Sequence, residues 1–332
     1  MAERIATHFP DIASTIEEDR KRINPHDYEY HRLLKDIVKN GELVNVDRTE
    51  TGTMKVFGRQ IRFNTQKGFP LITTKKVWHE GVFKELLWFI SGNQNIQPLV
   101  KEGVHIWDEW PYQKWLKATN QELKYPKYTD EWNGKKAEFA ENVKNDDKFA
   151  KKWGDLGPVY GHQWRYWKGE NGKTLDQLQI VIDSIKHNPY SRRHIVTAWN
   201  PAEIDKMALP PCHRDFQFNV RGDEETLDIM MSQRSVDTFL GLPFNIASYA
   251  LLLKMVAQVA DKKSGEVIMN LGDSHIYLNH LEQVWRQLDR NSYTPPVVEI
   301  DQRIKTIDDF RYEHINLLNY RHHPGIKADI SV

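Results

Sequence analysis

Cysteine is nearly absent from the sequence, which has a single one, Cys212, among 332 residues. An internal disulfide is therefore impossible, which fits a reducing compartment such as the cytoplasm. Long apolar runs are missing as well, since no stretch approaches the roughly 18 to 20 residues that cross a bilayer. The amino terminus lacks the basic and then apolar regions of a secretory signal. We therefore expect a soluble, cytoplasmic protein.

The sequence also lacks an excess of either charge. Lysine and arginine total 46, and aspartate and glutamate also total 46, so the formal net charge is zero. A balanced chain has no global field that attracts DNA or an anionic membrane, so neither is an expected partner. A local cluster of arginines must then bind any anionic ligand.

Internal repeats, low-complexity tracts and linkers are missing too, which favours a single domain. Residues 1–24 are charged and have no strong apolar period, so we interpret them as an extension that precedes a domain over residues 25–332. Residues from about 111 to 152 are rich in Lys, Glu, Asp and Asn and poor in aliphatic side chains. This composition predicts a charged, helical insertion at the periphery.

Hydrophobic periodicity predicts helices and strands in alternation along the rest of the chain. Apolar residues at helical spacing favour helices over Pro25–Asn40, Val82–Ile90, Leu175–His187 and Ile246–Ala260, and after Asn279. Strand patterns occur at Met54–Phe63, His194–Trp199, Phe216–Val220 and Leu227–Met231. Such an order is typical of an α/β or α+β fold with a mixed sheet.

Cys212 is the first candidate for chemistry, because it follows two prolines and precedes His213 and Arg214. The prolines stiffen the approach, and a nearby positive charge would lower the pKa of a thiol and favour the nucleophilic thiolate. A lone cysteine is more often a small buried hydrophobic residue. From these residues alone, both interpretations stay open.

Arginines that lie beside hydroxyl residues form a second group of candidates. They are Arg48, Arg192, Arg193 and Arg234, the last of which stands between Gln233 and Ser235. Guanidinium and hydroxyl groups together are the composition expected around a phosphate. Each arginine could instead form an ordinary surface ion pair, so the group suggests a phosphate site without establishing one.

Three further settings carry polar or aromatic groups. Asn245 begins an apolar helix, where it could cap the helix or match the imide edge of a base such as uracil. His275 and Tyr277 share one side of an extended strand, where catalysis, sugar binding and turn capping all stay open. Trp107 and Trp110 would meet across a helical turn, either as core packing or as a platform for a planar ligand.

Four stretches together resemble the thymidylate synthase family, in the family's order along the chain. They are Gly68–Lys76, Glu85–Phe89, Gly157–Arg165 and Gln233–Ala250, within a likeness that runs from about Tyr28 to Val332. The resemblance implies a bacterial-type enzyme with one α/β domain, whose mixed, bulged sheet packs against the same sheet of a second subunit. It also implies a methyltransferase that converts deoxyuridine monophosphate (dUMP) into thymidylate (dTMP). The carbon and the hydride would come from 5,10-methylenetetrahydrofolate, which leaves as dihydrofolate, and no metal is implied.

The resemblance assigns a role to each candidate residue. Cys212 would attack C6 of the pyrimidine, and the other catalytic positions are Glu85, Tyr160, His213, Asn245 and Asp237. Substrate-binding positions are Arg48, Arg192, Arg193, Arg234, Ser235, Gln233, Asn245, His275 and Tyr277. Folate-side positions are Lys75, Trp107, Trp110, Asp237, Leu240, Gly241, Phe244 and Val332. By the same resemblance, the partner's phosphate site in a homodimer receives Arg192 and Arg193.

Two alternatives stay open. A pyrimidine-nucleotide hydroxymethylase of the same superfamily, acting on dUMP or a cytidine nucleotide, would capture the methylene with water rather than hydride. Asn245, where cytosine-specific relatives tend to have Asp, and Trp107 favour the synthase. A non-catalytic nucleotide- or RNA-binding homologue is less favoured, because Cys212, Glu85, Arg234 and Asn245 are all present.

Several positions depart from the family's usual residues. Arg214 and Asp215 stand where small or apolar residues are common, and Asn219 and Ser232 stand where tyrosine is common. The tail, Lys327–Val332, is more polar than usual. These departures concern the shape of the pocket and its closure.

Overall fold

The structure is a computed structural model that describes residues 23–45 and 51–329. Most of the predicted amino-terminal extension lies outside the described residues, as do the phosphate-site candidate Arg48 and the tail residue Val332.

The fold is built on a mixed sheet of six strands. They are β1 (Glu42–Val44), β2 (Thr53–Asn64), β5 (Ile195–Thr197), β6 (His213–Val220), β7 (Thr226–Asp237) and β8 (Lys263–Tyr277), in the order β1-β2-β8-β7-β6-β5. Strands β7 and β8 are parallel, and the other neighbours are antiparallel. The register shifts between His213 and Asp215 and between Leu227 and Ile229, as at β-bulges. The expected α/β fold with a mixed, bulged sheet is confirmed.

Helices and short ribbons surround this sheet. The helices are α1 (Pro25–Asn40), α2 (His79–Ile90), α3 (Gln97–Lys101), α4 (Glu109–Ala118), α5 (Asp130–Asn145), α6 (Asp147–Trp153), α7 (Tyr160–Tyr166), α8 (Gln177–His187), α9 (Leu242–Val259) and α10 (Leu281–Leu288). The ribbons pair β3 (Trp167–Lys168) with β4 (Thr174–Leu175) and β9 (Val297–Ile300) with β10 (Ile315–Leu318). The expectation that no apolar stretch approaches the length of a membrane span is wrong for helix α9, which has that length and hydropathy. Most of α9 is buried inside the protein, as a core helix is.

One face of the sheet is apolar and lies under helices α1 and α9. A cross-strand row on this face joins Val196, Phe216, Met231, Met269 and Ile61, all of which are buried. Removing each such side chain from water contributes about 1.5–3 kcal/mol to folding. Their burial makes this row the centre of the core.

The opposite face of the sheet, which we call the open face, presents the row Ile195, Gln217, Met230, Ile268 and Arg62. These side chains are only partly buried or are exposed, and Ile195 is 47% exposed. The open face therefore mixes apolar and polar side chains and is accessible in the single chain.

The charged segment over residues 111–152 contains aromatic side chains that are fully buried. The exposed fraction is 0% for Tyr112 of α4 and 1% for both Trp132 and Phe139 of α5. The Tyr112 ring lies 5.2 Å from the Trp132 ring and 5.6 Å from the Phe139 ring. Aromatic residues thus supply a local core that the low aliphatic content did not indicate.

Candidate active site

Cys212 lies directly before β6 and is held on both sides by backbone hydrogen bonds. Its N–H donates to the Tyr160 hydroxyl oxygen at 2.8 Å, and its carbonyl oxygen accepts the Arg234 N–H at 2.9 Å. The residue is partly exposed. The thiol is therefore carried on a fixed backbone that solvent and ligands can reach, as a nucleophile requires.

The residues that follow Cys212 do not supply the positive charge that the sequence suggested. Burial lowers the pKa of His213 to about 4, although a hydrogen bond with Asn245 acts to raise it, so the imidazole is neutral near pH 7. The Arg214 guanidinium is 53% exposed and binds the Asp215 carboxylate at 2.8 Å. That part of the sequence interpretation is wrong, because burial and a neighbouring acid offset both charges.

Arg234 brings a cation to the Cys212 segment instead. Its Nε donates to the Pro211 carbonyl oxygen at 2.9 Å and its Nη2 to that of Pro210 at 2.8 Å. The guanidinium carbon also lies 5.6 Å from the centre of the Trp199 ring, within cation–π range. Sequence reasoning missed Trp199 and the two proline carbonyls, because backbone acceptors leave no composition signal.

Glu85 of α2 lies close to Tyr160, at the start of α7. The Trp107 indole N–H donates to Glu85 Oε1 at 2.7 Å. Burial raises the pKa of Glu85 to about 7, against the lowering effect of that hydrogen bond. Burial, and then the nearby Cys212, also raises the pKa of Tyr160 well above its usual value. Glu85 can therefore exchange a proton near neutral pH, whereas Tyr160 stays a neutral hydroxyl.

Amide and imidazole groups line the same region. Gln233 Nε2 donates to Asn245 Oδ1 at 3.1 Å, and the rings of Tyr160 and Tyr249 each lie 5.4 Å from that of His213. Helix α9 begins at Leu242, so Asn245 lies within its first turn rather than at its cap. Gln233 Oε1 and His213 Nδ1 are buried and form no hydrogen bond with any described residue. These two atoms can serve a polar ligand.

Aromatic and apolar side chains border this polar region. The rings of Trp107 and Trp110 lie 5.1 Å apart and are tilted by 44°, and Trp107 is 5.8 Å from Tyr160. Leu240 and Phe244, on either side of the start of α9, are partly buried. The two indoles thus lie together, as their spacing predicted, and a planar ligand could pack against them.

Asp237 ends β7 and shapes the turn into α9. Its Oδ1 accepts the N–H groups of Phe239 and Leu240 at 2.9 and 3.0 Å. A Cβ atom on Gly241 would lie 3.1 Å from the Asp237 carbonyl oxygen, so glycine permits this close turn. Lys75 reaches the turn too, since Nζ donates to the Phe239 carbonyl oxygen, and burial lowers the pKa of Lys75 to about 7.

His275 and Tyr277 lie near the end of β8. His275 is directly opposite Asp237 on β7, and its ring is 5.2 Å from that of Tyr277. The two rings therefore share one side of the strand, as the sequence predicted, and they adjoin the Asp237 turn.

Arg192 and Arg193 are not brought to Cys212 in the same chain. They precede β5, where the His194 carbonyl oxygen accepts the Phe218 N–H at 2.9 Å and the Arg192 carbonyl oxygen accepts from Gln217 Nε2 at 3.3 Å. That position is near the far end of β6, and strand geometry puts it about 20 Å along the sheet from Cys212. Both side chains are exposed.

A reachable thiol, a buried tyrosine hydroxyl beside it and a carboxyl near that tyrosine whose pKa is about 7 form a site of the kind that enzymes with a cysteine nucleophile use. Within residues 23–45 and 51–329, no group of three or more His, Cys, Asp or Glu residues could hold a metal ion. Comparison with known families is more specific, because residues 28–332 match the family described as thymidylate synthase. The chain belongs to the thymidylate synthase family.

Curated relatives agree with this assignment over most of their length. A thymidylate synthase of Mycoplasma mobile is 50% identical over 305 residues, which cover 92% of this chain and 99% of the relative. One from Staphylococcus haemolyticus is 46% identical, with 93% of this chain and 100% of the relative covered. One from Mesoplasma florum is also 46% identical, with 92% and 99% covered.

Proposed function

We propose that this chain catalyses the reductive methylation of dUMP at C5, which yields dTMP. The co-substrate is 5,10-methylenetetrahydrofolate, which when bound supplies the one-carbon unit and the hydride. The observation that carries the proposal is the cluster of Cys212, Tyr160 and Glu85, in a chain that matches the family over residues 28–332.

Cys212 is the nucleophile in this proposal. Carbon C5 of uracil is not nucleophilic until a group adds to C6, and a thiolate can both add and leave again. The sulfur forms a bond to C6, and the electron pair of the C5–C6 double bond moves toward the C4 oxygen as an enolate. The fixed, partly exposed backbone of Cys212 supports this role.

Glu85 moves protons beside the ring in this scheme. A carboxyl whose pKa is about 7 can give or take a proton at neutral pH, where an ordinary carboxyl is fully ionised. Asn245 binds the imide edge of uracil with its amide, and His213 stands behind it as a neutral group. Tyr160 acts with water near C5, as a neutral hydroxyl that already accepts the Cys212 N–H.

The phosphate of dUMP is bound by Arg48, Arg234 and Ser235 of one chain and by Arg192 and Arg193 of its partner in a homodimer. The distance of about 20 Å along the sheet between the latter two arginines and their own Cys212 supports a role in another subunit. The open face of the sheet supports the pairing of two chains, because it is accessible and carries Ile195, Met230 and Ile268.

The folate lies against Trp107 and Trp110, with Leu240, Gly241 and Phe244 beside them. Asp237 binds the polar edge of the pterin, Lys75 serves the same side, and Val332 ends a tail that closes over the ligands. The indole pair and the tight turn at Gly241 support this assignment.

His275 and Tyr277 bind the sugar of the nucleotide in this proposal, and Gln233 assists Asn245 in binding the base. The enzyme works in the cytoplasm.

The decisive experiment is to incubate the purified protein with dUMP and methylenetetrahydrofolate and to identify both products by mass. Thymidylate with dihydrofolate is the expected result. Tetrahydrofolate with a hydroxymethylated nucleotide would replace the synthase by the hydroxymethylase alternative. As a control, Cys212→Ser is expected to lower turnover by at least about a thousandfold; a variant that still makes thymidylate rapidly would contradict the proposed nucleophile.

A further inference from the structure

We propose that Asp273 is a positioning residue for sugar recognition. It holds His275 in the ring tautomer whose Nε2 accepts a hydrogen bond, and so selects a nucleotide whose 3'-hydroxyl donates one. The inference rests on the proposed function, which makes dUMP the substrate and puts His275 beside its sugar.

The geometry joins three charged or titratable groups on two strands. Asp273 Oδ1 lies 2.9 Å from His275 Nδ1, and Asp273 Oδ2 accepts from Lys55 Nζ at 2.9 Å. Lys55 of β2 is directly opposite His275 of β8 in the sheet register. Both carboxylate oxygens are therefore occupied, which fixes the rotation of the carboxylate and of the imidazole that it contacts.

The chemistry of the pair determines which ring nitrogen of His275 carries the proton. The hydrogen bond from His275, and then that from Lys55, lowers the pKa of Asp273 despite partial burial, so the carboxylate is ionised at neutral pH. An ionised carboxylate can only accept hydrogen bonds. Nδ1 must therefore be the donor, and a neutral imidazole then presents a lone pair at Nε2.

The surroundings of His275 hold its ring, and therefore the lone pair at Nε2, in one orientation. The side chain is 12% exposed, and the Tyr277 ring stands edge-on to it at 5.2 Å. Rotation of the ring by half a turn would break the bond with Asp273 and move Nδ1 to the other side. A 3'-hydroxyl, which can donate to Nε2, is thereby preferred over a 3'-hydrogen, which cannot.

The test compares dUMP with 2',3'-dideoxyuridine monophosphate, which lacks the 3'-hydroxyl. In Asp273→Ala, we expect kcat/KM for dUMP to fall about tenfold, mainly through KM, because the hydrogen bond from the 3'-hydroxyl to an oriented His275 Nε2 is lost. The value for the dideoxy nucleotide should change less than about twofold, so the discrimination between the two substrates falls. Asp301→Ala is a matched control, since Asp301 also pairs with a cation, Arg303, and should leave the discrimination unchanged.

A double-mutant comparison separates positioning from general damage. His275→Ala should lower the discrimination as Asp273→Ala does, and the combined variant should lower it no further, because Asp273 acts through His275. Equal losses for both substrates in Asp273→Ala, or an additive double variant, would overturn the proposal. If the wild type converts no dUMP, the proposed function fails; if it does and Asp273→Ala still discriminates fully, this inference alone fails.

A second measurement needs no variant to be active. In wild-type protein labelled with ¹⁵N-histidine, the His275 signals, identified by their loss in His275→Ala, should show a proton on Nδ1 and none on Nε2 in the neutral ring. A neutral ring that carries its proton on Nε2 would overturn the proposal, whatever happens to the Asp273 variants.

Discussion

At the scale of single residues, the burial of Glu85 favours its proposed role in proton transfer but makes the stability of the folded protein depend on pH. In the unfolded chain its pKa is the ordinary 4.5, whereas burial raises the folded value to about 7. Between these two values the folded protein keeps a proton that the unfolded chain releases, so stability falls as pH rises. The stabilising contribution of protonated Glu85 is complete below about pH 4.5 and is lost as pH passes through about 7.

We expect Glu85→Gln to lose turnover and to gain stability, because glutamine can accept the Trp107 N–H and has no proton to release. Its free energy of unfolding should exceed that of the wild type by about 1–3 kcal/mol near pH 8 and should match it near pH 4. Guanidinium unfolding across this pH range measures the difference. Glu80→Gln, on the exposed part of the same helix, is the control; an identical pH dependence in Glu85→Gln and wild type would refute the account.

At the scale of elements, the site depends on how closely α2 and α7 approach each other. A Cβ atom on Gly161 would lie 2.1 Å from the carbonyl oxygen of Phe89, which is far below van der Waals contact. Helix α2 carries Glu85 and α7 carries Tyr160, so this glycine sets the distance between two of the catalytic candidates.

Gly161→Ala should therefore separate the two helices. We expect a loss of about 1–3 kcal/mol in the free energy of unfolding and a fall in kcat of roughly 10- to 100-fold. Gly134→Ala is the matched control, because Gly134 is also helical but has nothing within 4 Å of an added Cβ. It should raise stability by about 0.5–1 kcal/mol and leave kcat unchanged. Equal behaviour of the two variants would show that the close approach has no functional role.

Local signals in the sequence predicted some elements well and others poorly. Helix α1 has the predicted bounds, because Asn24 caps it, Pro25 begins it and its backbone turns extended at Gly41. Strand β8, Lys263–Tyr277, was not predicted beyond its last residues, since glycines and polar residues interrupt its apolar alternation.

The same limit applies to the site. The hydrogen bond from Trp107 to Glu85 spans 22 positions and that from Cys212 to Tyr160 spans 52, so no local pattern reports either one. The family resemblance predicted which residues belong to the site. Their protonation states depend on burial, which only the fold determines. His213 illustrates this, because its position suggested a charge that burial removes.

At the scale of the whole molecule, the proposed sharing of Arg192 and Arg193 between subunits has a measurable consequence. Cys212→Ser and a double Arg192→Ala, Arg193→Ala variant should each be nearly inactive alone. After the two are unfolded and refolded together, half of the dimers contain one chain of each kind, and each of these has one intact site. Activity should then recover to about a quarter of the wild-type value.

The recovery is measured as initial turnover of dUMP at equal total protein. Refolding Cys212→Ser with an Arg303→Ala chain, whose exposed arginine pairs only with Asp301 among the described residues, is the control for the refolding step. If the mixture is no more active than the mean of the two separate variants, then Arg192 and Arg193 do not act across the interface.

The presence of a single cysteine, the proposed nucleophile, has a consequence for the protein under oxidative stress. A reachable Cys212 that is oxidised to a sulfenic acid has no second cysteine in its own chain to form a disulfide with. Protection against further, irreversible oxidation must come from a small thiol in the surroundings or from a bound nucleotide that covers the sulfur. Because the chain has one cysteine, a thiol-specific alkylating reagent labels Cys212 alone, and under the proposed mechanism each equivalent of label then counts one catalytic centre.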